Sequence, residues 1–361
     1  MTPSILVMGA GAWGTALAVH FAKRAAPSQV MLWGRDAQQM QHMADQRENS
    51  QYLPGVRLPD ALGVTADLDA ACRQWRASST SDATAPEGIR ALVVLATPMA
   101  GLREAAQRVR HALGPAQAGE GLVWLAKGLQ QQSGSTTSDI RVQWPHEIVA
   151  SACPDWIAGA LTGPSFAQEV AAGLPVALTI ASHDMDWARR VAQTCHGHGM
   201  RMYATSDVIG VELGGAMKNV LAIAAGVCDG LELGANARAA LLTRGLAEMS
   251  RLGMAIGAQA PTFLGLATLG DLILTATGDL SRNRRVGLGL AKGESLQDIV
   301  KRLGHVAEGV ATAPALVQLA RTANVEVPIT ESVCHLMSGQ WSAQQAITHL
   351  MSRDPRDEHG H

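Results

Sequence analysis

An apolar tetrapeptide, Ile5-Leu6-Val7-Met8, runs directly into Gly9-Ala10-Gly11-Ala12-Trp13-Gly14, and Thr15-Ala16-Leu17-Ala18 follows without a break. A strand, a G-x-G-x-x-G turn and a small-residue helix in that order point to the opening of a doubly wound α/β fold. Each glycine has a mechanical task in such a turn. Gly9 makes the tight bend, Gly11 lets a pyrophosphate approach the backbone, and Gly14 lets the helix pack close to its strand. The free N–H groups and the dipole at the helix N-terminus favour the negative charge of phosphates. A glycine pattern alone also fits an ordinary turn. The strand before it and the helix after it favour the dinucleotide site.

At 361 residues, the chain is long enough for two domains with sizeable cores. With 47% hydrophobic and 17% charged residues it is expected to bury much of itself. The formal net charge of −2 gives no overall pull towards nucleic acid or an acidic membrane surface. Cys72, Cys153, Cys195, Cys228 and Cys334 are scattered and form no C-x-x-C pair. They read as reduced, buried thiols of a cytoplasmic protein, not as a disulfide framework or a zinc site. The apolar stretch Ile5 to Ala22 lacks a basic segment before it and is followed by Lys23-Arg24, the wrong polarity for a signal sequence. No other run is expected to span a membrane.

Short apolar runs alternate with helical stretches up to about residue 203, the pattern of a parallel sheet covered by helices. Strands are expected at Ile5–Met8, Val30–Trp33, Ala91–Ala96, Leu122–Ala126 and Val176–Ala181, with further ones near Ile148–Ser151, Ala158–Leu161 and Arg201–Ala204. The polar stretch from Gln74 to Gly88 reads as a surface loop. Beyond Thr205, helical patterns take over, at Asp207–Val227, Asn236–Ile256, Arg284–Leu290, Leu296–Leu303, Ala313–Ala323 and Ile329–Leu336. The expected organisation is a Rossmann-type domain over 1–203, an all-helical domain over 204–352 and a charged tail over 353–361. The active site is expected in the cleft between the two domains.

Lys218 is the most suspicious charge in the chain, because no other Asp, Glu, Lys or Arg occurs between Glu212 and Asp229. A lysine desolvated on a buried helix has a lowered pKa and can supply a proton to a carbonyl oxygen that accepts a hydride. The bland alternative is a lysine that snorkels to the surface. Gly270-Asp271 and Ser281-Arg282-Asn283-Arg284-Arg285 form a second cluster, in which hydroxyl, guanidinium, amide and helix N–H groups all suit an anion. There the alternative is a serine N-cap with a solvated basic turn. Lys127-Gly128 and Gly163-Pro164-Ser165 each follow a strand, where open parallel sheets bind ligands; strand-ending turn chemistry explains them equally well. Arg244, Glu248 and Arg251 recur at helical spacing and read as an exposed salt-bridged face. His196-Gly197-His198 lacks the spacing and companion carboxylates of a metal site, so no metal is expected.

Together these stretches resemble the bacterial type of NAD(P)-dependent glycerol-3-phosphate dehydrogenase. The likeness runs from Ile5 to about Gln340. It is most specific at Gly9–Ala18, Ala126–Leu129, Gly163–Pro175, Gly210–Asn219, Gly234–Gly253 and Leu269–Arg285. The departures are the long Gln74–Gly88 segment and the short charged tail.

The resemblance implies a cytoplasmic homodimer that interconverts dihydroxyacetone phosphate and sn-glycerol 3-phosphate, for phospholipid synthesis. It implies that Lys218 transfers the proton and that Lys127 touches both cofactor and substrate. Gly163 and Ser165 would line the substrate pocket and Asp271 would lie near the substrate hydroxyls. Ser281, Arg282 and Asn283 would hold the phosphate, with Arg282 also reaching the cofactor. Ala12, Trp13, Arg35, Ala167, Val306 and Glu308 match cofactor contacts alongside the glycines. The strand Val30–Trp33 ends without an acidic residue and runs into Gly34-Arg35, so NADP(H) is expected to be preferred, with NAD(H) as a second cofactor. Asp36 argues the other way, since its carboxylate lies one residue from that position. Two rivals stand beside this reading: a dehydrogenase of the 3-hydroxyacid or 6-phosphogluconate kind, and a nucleotide sensor without catalysis.

Overall fold

In the computed structural model, which describes residues 3–23, 25–27, 29–79, 88–133, 140–304 and 307–352, the glycine turn follows an interior strand of an eight-stranded sheet. In chain order the strands are β1 (Ser4–Met8), β2 (Val30–Trp33), β3 (Glu48–Asn49), β4 (Leu53–Arg57), β5 (Leu62–Thr65), β6 (Ala91–Leu95), β7 (Glu120–Trp124), β8 (Gln130–Ser133), β9 (Ile140–Gln143), β10 (Ala158–Thr162), β11 (Val176–Ala181) and β12 (Met200–Thr205). The large sheet runs β12-β11-β10-β7-β6-β1-β2-β5, while β3–β4 and β8–β9 are separate two-stranded pairs. The helices are α1 (Ala12–Ala22), α2 (Ala37–Gln46), α3 (Leu68–Ser79), α4 (Leu102–Leu113), α5 (Pro145–Ala152), α6 (Ala167–Ala172), α7 (Met185–Cys195), α8 (Val208–Gly230), α9 (Gly234–Ala255), α10 (Asp271–Thr277), α11 (Arg282–Ala291), α12 (Leu296–Leu303), α13 (Glu308–Thr322), α14 (Pro328–Met337) and α15 (Ala343–Met351).

The chain divides into two compact units. The first comprises Met1–Lys127, Gln143–Glu212 and Leu264–Asp271; the second comprises Gly128–Val142, Leu213–Phe263 and Leu272–His361. This division is interleaved along the chain, unlike the single boundary expected at residue 203. The β8–β9 pair groups with the helices because β8 packs on α13, and Leu264–Asp271 groups with the sheet because it packs on β11.

In the first unit, β1 is buried on both faces, so its consecutive apolar residues are divided between two cores. Ile5 and Val7 pack with Leu17 of α1 and Trp187 of α7; Leu6 and Met8 pack with Trp75 of α3, Leu102 of α4 and Ile148 of α5. Every pairing in the sheet is parallel except β10 with β11, where the expectation of an all-parallel sheet gives way to an antiparallel neighbour. The expected strand at Ile148–Ser151 is instead α5. Pro145 occupies its first turn, Glu147 accepts the Trp144 N–H at 3.3 Å, and Ile148 and Val149 form the buried side of a helix. The expected loop from Gln74 begins as the last turns of α3, held by the fully buried Trp75 and its indole N–H to the Ser4 carbonyl. Residues 80–87 and the expected tail 353–361 lie outside the described residues.

The second unit is helical apart from β8 and β9 among the described residues. By length and composition α8 could cross a membrane, yet 94% of its most apolar window is buried within the protein. Glu248 is also buried, at 1% exposure, which corrects its reading as part of an exposed charged face. Its carboxylate accepts the Ile329 and Thr330 N–H groups at 2.9 and 3.1 Å, so it caps the first turn of α14 from a different helix. Burial pushes the Glu248 carboxyl above its ordinary range, opposed by those hydrogen bonds.

Candidate active site

The turn at the end of β1 has the geometry its glycines suggest. Gly9 sits at φ 125°, and a Cβ there would come within 2.6 Å of the Ala96 carbonyl oxygen. A Cβ at Gly14 would overlap the Gly9 carbonyl oxygen, so this position sets how closely α1 follows β1. Gly11 is the N-cap of α1 and supplies no side-chain acceptor, and a Cβ built on it meets nothing within 4 Å. Open space therefore lies before the N-terminus of α1, which suits a pyrophosphate. Ala12 and Trp13, the first residues of that helix, remain partly accessible. Arg35 is exposed beyond β2. Its neighbour Asp36 is the N-cap of α2 and accepts the Gln39 N–H at 3.0 Å.

At the same carboxyl edge of the sheet, Lys127 follows β7 and Gly163 follows β10, both strands running parallel to β1 through β6. Lys127 Nζ donates to Asp271 Oδ2 at 2.6 Å and to the Gly163 carbonyl at 3.2 Å. The Gly163 carbonyl also accepts the Ser165 hydroxyl at 2.9 Å. Gly163 has φ 135°, and a Cβ there would press on the Ala177 carbonyl at 2.8 Å. Asp271 is delivered by a π-helical turn, Leu266–Gly270, a rare geometry that often accompanies function. Its carboxylate is 2% exposed, and the Lys127 ammonium offsets its charge. Four residues expected to contact ligand, Lys127, Gly163, Ser165 and Asp271, thus form one connected group. Ala167 begins α6 a few residues further on.

The second unit holds another group. Lys218 is buried on α8 at 6% exposure, and its Nζ donates to Thr275 Oγ1 at 2.8 Å. Ser281 caps α11, accepting the Arg284 N–H at 3.2 Å. Asn283 donates to Asn219 Oδ1 at 2.9 Å and accepts the Gly309 N–H at 3.0 Å. Ser281 and Asn283 are thus buried and already bonded within the protein, whereas Arg282 is exposed on the same turn. Glu308 starts α13, directly before Gly309; Val306 lies outside the described residues. Sequence reading missed Thr275 and Asn219 as partners of the site. The four-residue spacing of Asp271 and Thr275 on one helix, and the place of Asn219 beside Lys218, are the signals that point to them.

Two family models match the chain, described as the N-terminus of NAD-dependent glycerol-3-phosphate dehydrogenase over residues 4–188 and its C-terminus over 207–348. The chain belongs to the glycerol-3-phosphate dehydrogenase family. A member of that name marked [NAD(P)+] from Delftia acidovorans is 50% identical over 98% of this chain and 100% of its own length. Another, from Janthinobacterium, is 51% identical over 98% and 99%. The crystal structure of glycerol-3-phosphate dehydrogenase from Coxiella burnetii has a TM-score of 0.83 and 35% identity, covering 98% of this chain and 99% of that one. Likeness at this level extends through both units, so the dehydrogenase fold, a Rossmann-type sheet followed by helices, is common to them.

Proposed function

We infer that this chain is an NAD(P)-dependent oxidoreductase that interconverts dihydroxyacetone phosphate and sn-glycerol 3-phosphate. The observation that carries the reading is identity at about half of all positions, over 98% of the chain, with glycerol-3-phosphate dehydrogenases [NAD(P)+]. The open N-terminus of α1 suits the cofactor pyrophosphate, with Ala12, Trp13, Arg35, Lys127, Ala167, Arg282, Val306 and Glu308 as further contacts. When bound, the dihydronicotinamide supplies the hydride.

The chain's own residues supply the proton, the grip and the dry surroundings. Lys218 Nζ, held by the Thr275 hydroxyl, gives a proton to the central carbonyl oxygen in reduction and takes it from the hydroxyl in oxidation. Lys127, anchored by Asp271, contacts the substrate oxygens, with Gly163 and Ser165 beside it. Arg282 carries the phosphate, because it is exposed on a turn whose serine and asparagine are engaged elsewhere and whose other exposed arginine, Arg285, donates to the Asp279 carbonyl. Ser281 and Asn283, with their side chains so engaged, serve the phosphate by shaping the turn that presents Arg282.

NADP(H) is preferred over NAD(H): Arg35 is available to a 2′-phosphate, and Asp36 is occupied as the α2 cap. Family membership and the free cysteines support a cytoplasmic homodimer whose product enters phospholipid synthesis. One comparison tests the reading: NADPH oxidation with dihydroxyacetone phosphate, set against NADP+ reduction with 3-hydroxyacids or 6-phosphogluconate and against a blank. Turnover only with dihydroxyacetone phosphate is the expected result. Turnover with a rival substrate alone, or with none, overturns it.

A further inference from the structure

Arg284 lies two residues past the phosphate anchor, on the first turn of α11, and its guanidinium is spent within the protein. Its Nε and Nη2 each lie 2.8 Å from Asp229 Oδ2, and Nη1 donates to Asp279 Oδ1 at 2.9 Å. Asp229, near the end of α8, gives its other oxygen to Arg238 of α9 at 2.8 Å. The Arg284 and Asp229 side chains are 14% and 13% exposed, so the pair is poorly screened by solvent.

Between these residues α8 and α11 touch backbone to backbone. A Cβ at Gly226 would overlap the Arg284 carbonyl oxygen, and one at Gly287 would overlap the Ile223 carbonyl oxygen. The close contact continues for one more turn, where Gly230 packs on Leu288 and Ala291, and a seam this short restrains rotation about it only weakly. Two side-chain grips remove the rotation. Asn283 holds Asn219 on one side of the crossing, and Arg284 holds Asp229 on the other. Asn219 and Asp229 are ten residues apart, about 15 Å along a helix axis.

We propose that Asp229 and Arg284 are positioning residues for phosphate recognition, which stop α11 from pivoting on α8 and so hold the Ser281–Asn283 turn in register with Lys218. The pair also neutralises the Arg284 charge; Arg285, exposed on the same turn, spends its Nε on the Asp279 carbonyl at 3.0 Å, and Arg282 is the guanidinium offered to the substrate. This rests on the assignment of the phosphate to Arg282.

The test uses Asp229→Asn and Arg284→Lys in the full-length enzyme, with melting temperature recorded for each. Both keep the side-chain volume close to the original, and each weakens the grip differently. The expected result is a roughly 3- to 30-fold rise in KM for dihydroxyacetone phosphate, the range for residues acting through a network. The inhibition constant of inorganic phosphate rises in parallel, while kcat changes less and the KM for NADPH, which Arg282 also contacts, rises by a smaller factor. A merely structural role would lower the active fraction without this selective loss. Folded variants with unchanged dihydroxyacetone phosphate KM and phosphate inhibition overturn the proposal, as does an equal rise in the NADPH KM. Arg282→Ala separates the two levels. If it raises the phosphate inhibition constant and the pair variants do not, positioning alone fails; if it leaves that constant unchanged, the phosphate assignment fails and takes this proposal with it.

Discussion

Glu248 Oε1 accepts the hydroxyl of Thr330 at 2.7 Å, although 82 positions separate the two residues. With the N–H groups of Ile329 and Thr330 on the same carboxylate, the first turn of α14 is satisfied by a side chain of α9. Removing the carboxylate strands two buried N–H donors and one hydroxyl. Glu248→Ala should therefore cost about 2–4 kcal/mol of stability. Glu248→Gln, which keeps one acceptor oxygen, should cost clearly less. Chemical denaturation of both variants checks the order, and equal losses would refute the capping role.

Lys218→Ala should lower turnover by roughly 10²–10⁴-fold, the usual scale for a positioned acid–base group. Affinity for the cofactor should change little, because the lysine lies outside the phosphate turn of α1. Near-normal turnover in a background free of the host enzyme would remove Lys218 from the mechanism. Thr275→Val, which removes the hydroxyl that Nζ meets, is expected to impair turnover in the same direction and to a smaller extent.

Arg282→Ala should cost at least about tenfold in kcat/KM for dihydroxyacetone phosphate, since hydrogen bonds to charged groups contribute roughly 1.5–3 kcal/mol. Phosphate binding also orients the carbonyl, so kcat should fall along with the rise in KM. Dihydroxyacetone has the carbonyl and no phosphate. At saturating cofactor most of the penalty should vanish with it; equal harm to both substrates would make Arg282 structural or cofactor-binding.

Arg35→Ala should reduce kcat/KM with NADPH more than with NADH, because an arginine pairs with a 2′-phosphate that NADH lacks. Steady-state comparison of the two cofactors in wild type and variant settles this. A wild type that favours NADH, or an unchanged ratio in the variant, counts against the preference.

His146 Nδ1 and Glu212 Oε2 lie 2.5 Å apart, and Glu212 also accepts the His146 backbone N–H at 2.9 Å. Desolvation works against the imidazolium, but hydrogen bonding and charge from Glu212 outweigh it and hold the His146 pKa above its ordinary 6.5. A raised folded-state value means that stabilisation is complete below about pH 6.5 and fades as pH rises through the folded value. The difference in melting temperature between wild type and His146→Gln should accordingly be larger at pH 6 than at pH 9. A gap independent of pH, or one that widens on the alkaline side, would contradict this.

The parts legible in the sequence are those where local pattern and global role agree. The apolar run before Gly9 and the helix after Gly14 specify their own neighbourhood, and the structure keeps both. The stretch at Ile148 misleads because four apolar residues fit a strand or one face of a helix; Pro145 and Glu147 were the deciding signals. Glu248 looks exposed because Arg244 and Arg251 stand at helical spacing from it, while its actual partners lie 81 and 82 residues ahead. In the candidate site, Lys218 stands out by its isolation among apolar residues. Thr275 and Asp229 carry no such mark. Their importance comes from partners that only the folded chain brings to them.

The contact of Gly226 with Gly287 has a consequence for how this enzyme can change over time. Side chains flex and repack, but main-chain atoms in van der Waals contact are the least compressible spacer a protein has. The interval between the helix that bears Lys218 and the helix that bears Arg282 is set by that spacer. Substitutions on the outer faces of either helix can therefore accumulate while the reach from Lys218 to the Ser281–Asn283 turn stays constant. A single added methyl at either glycine would alter that reach at once, with every residue of the chemistry still in place.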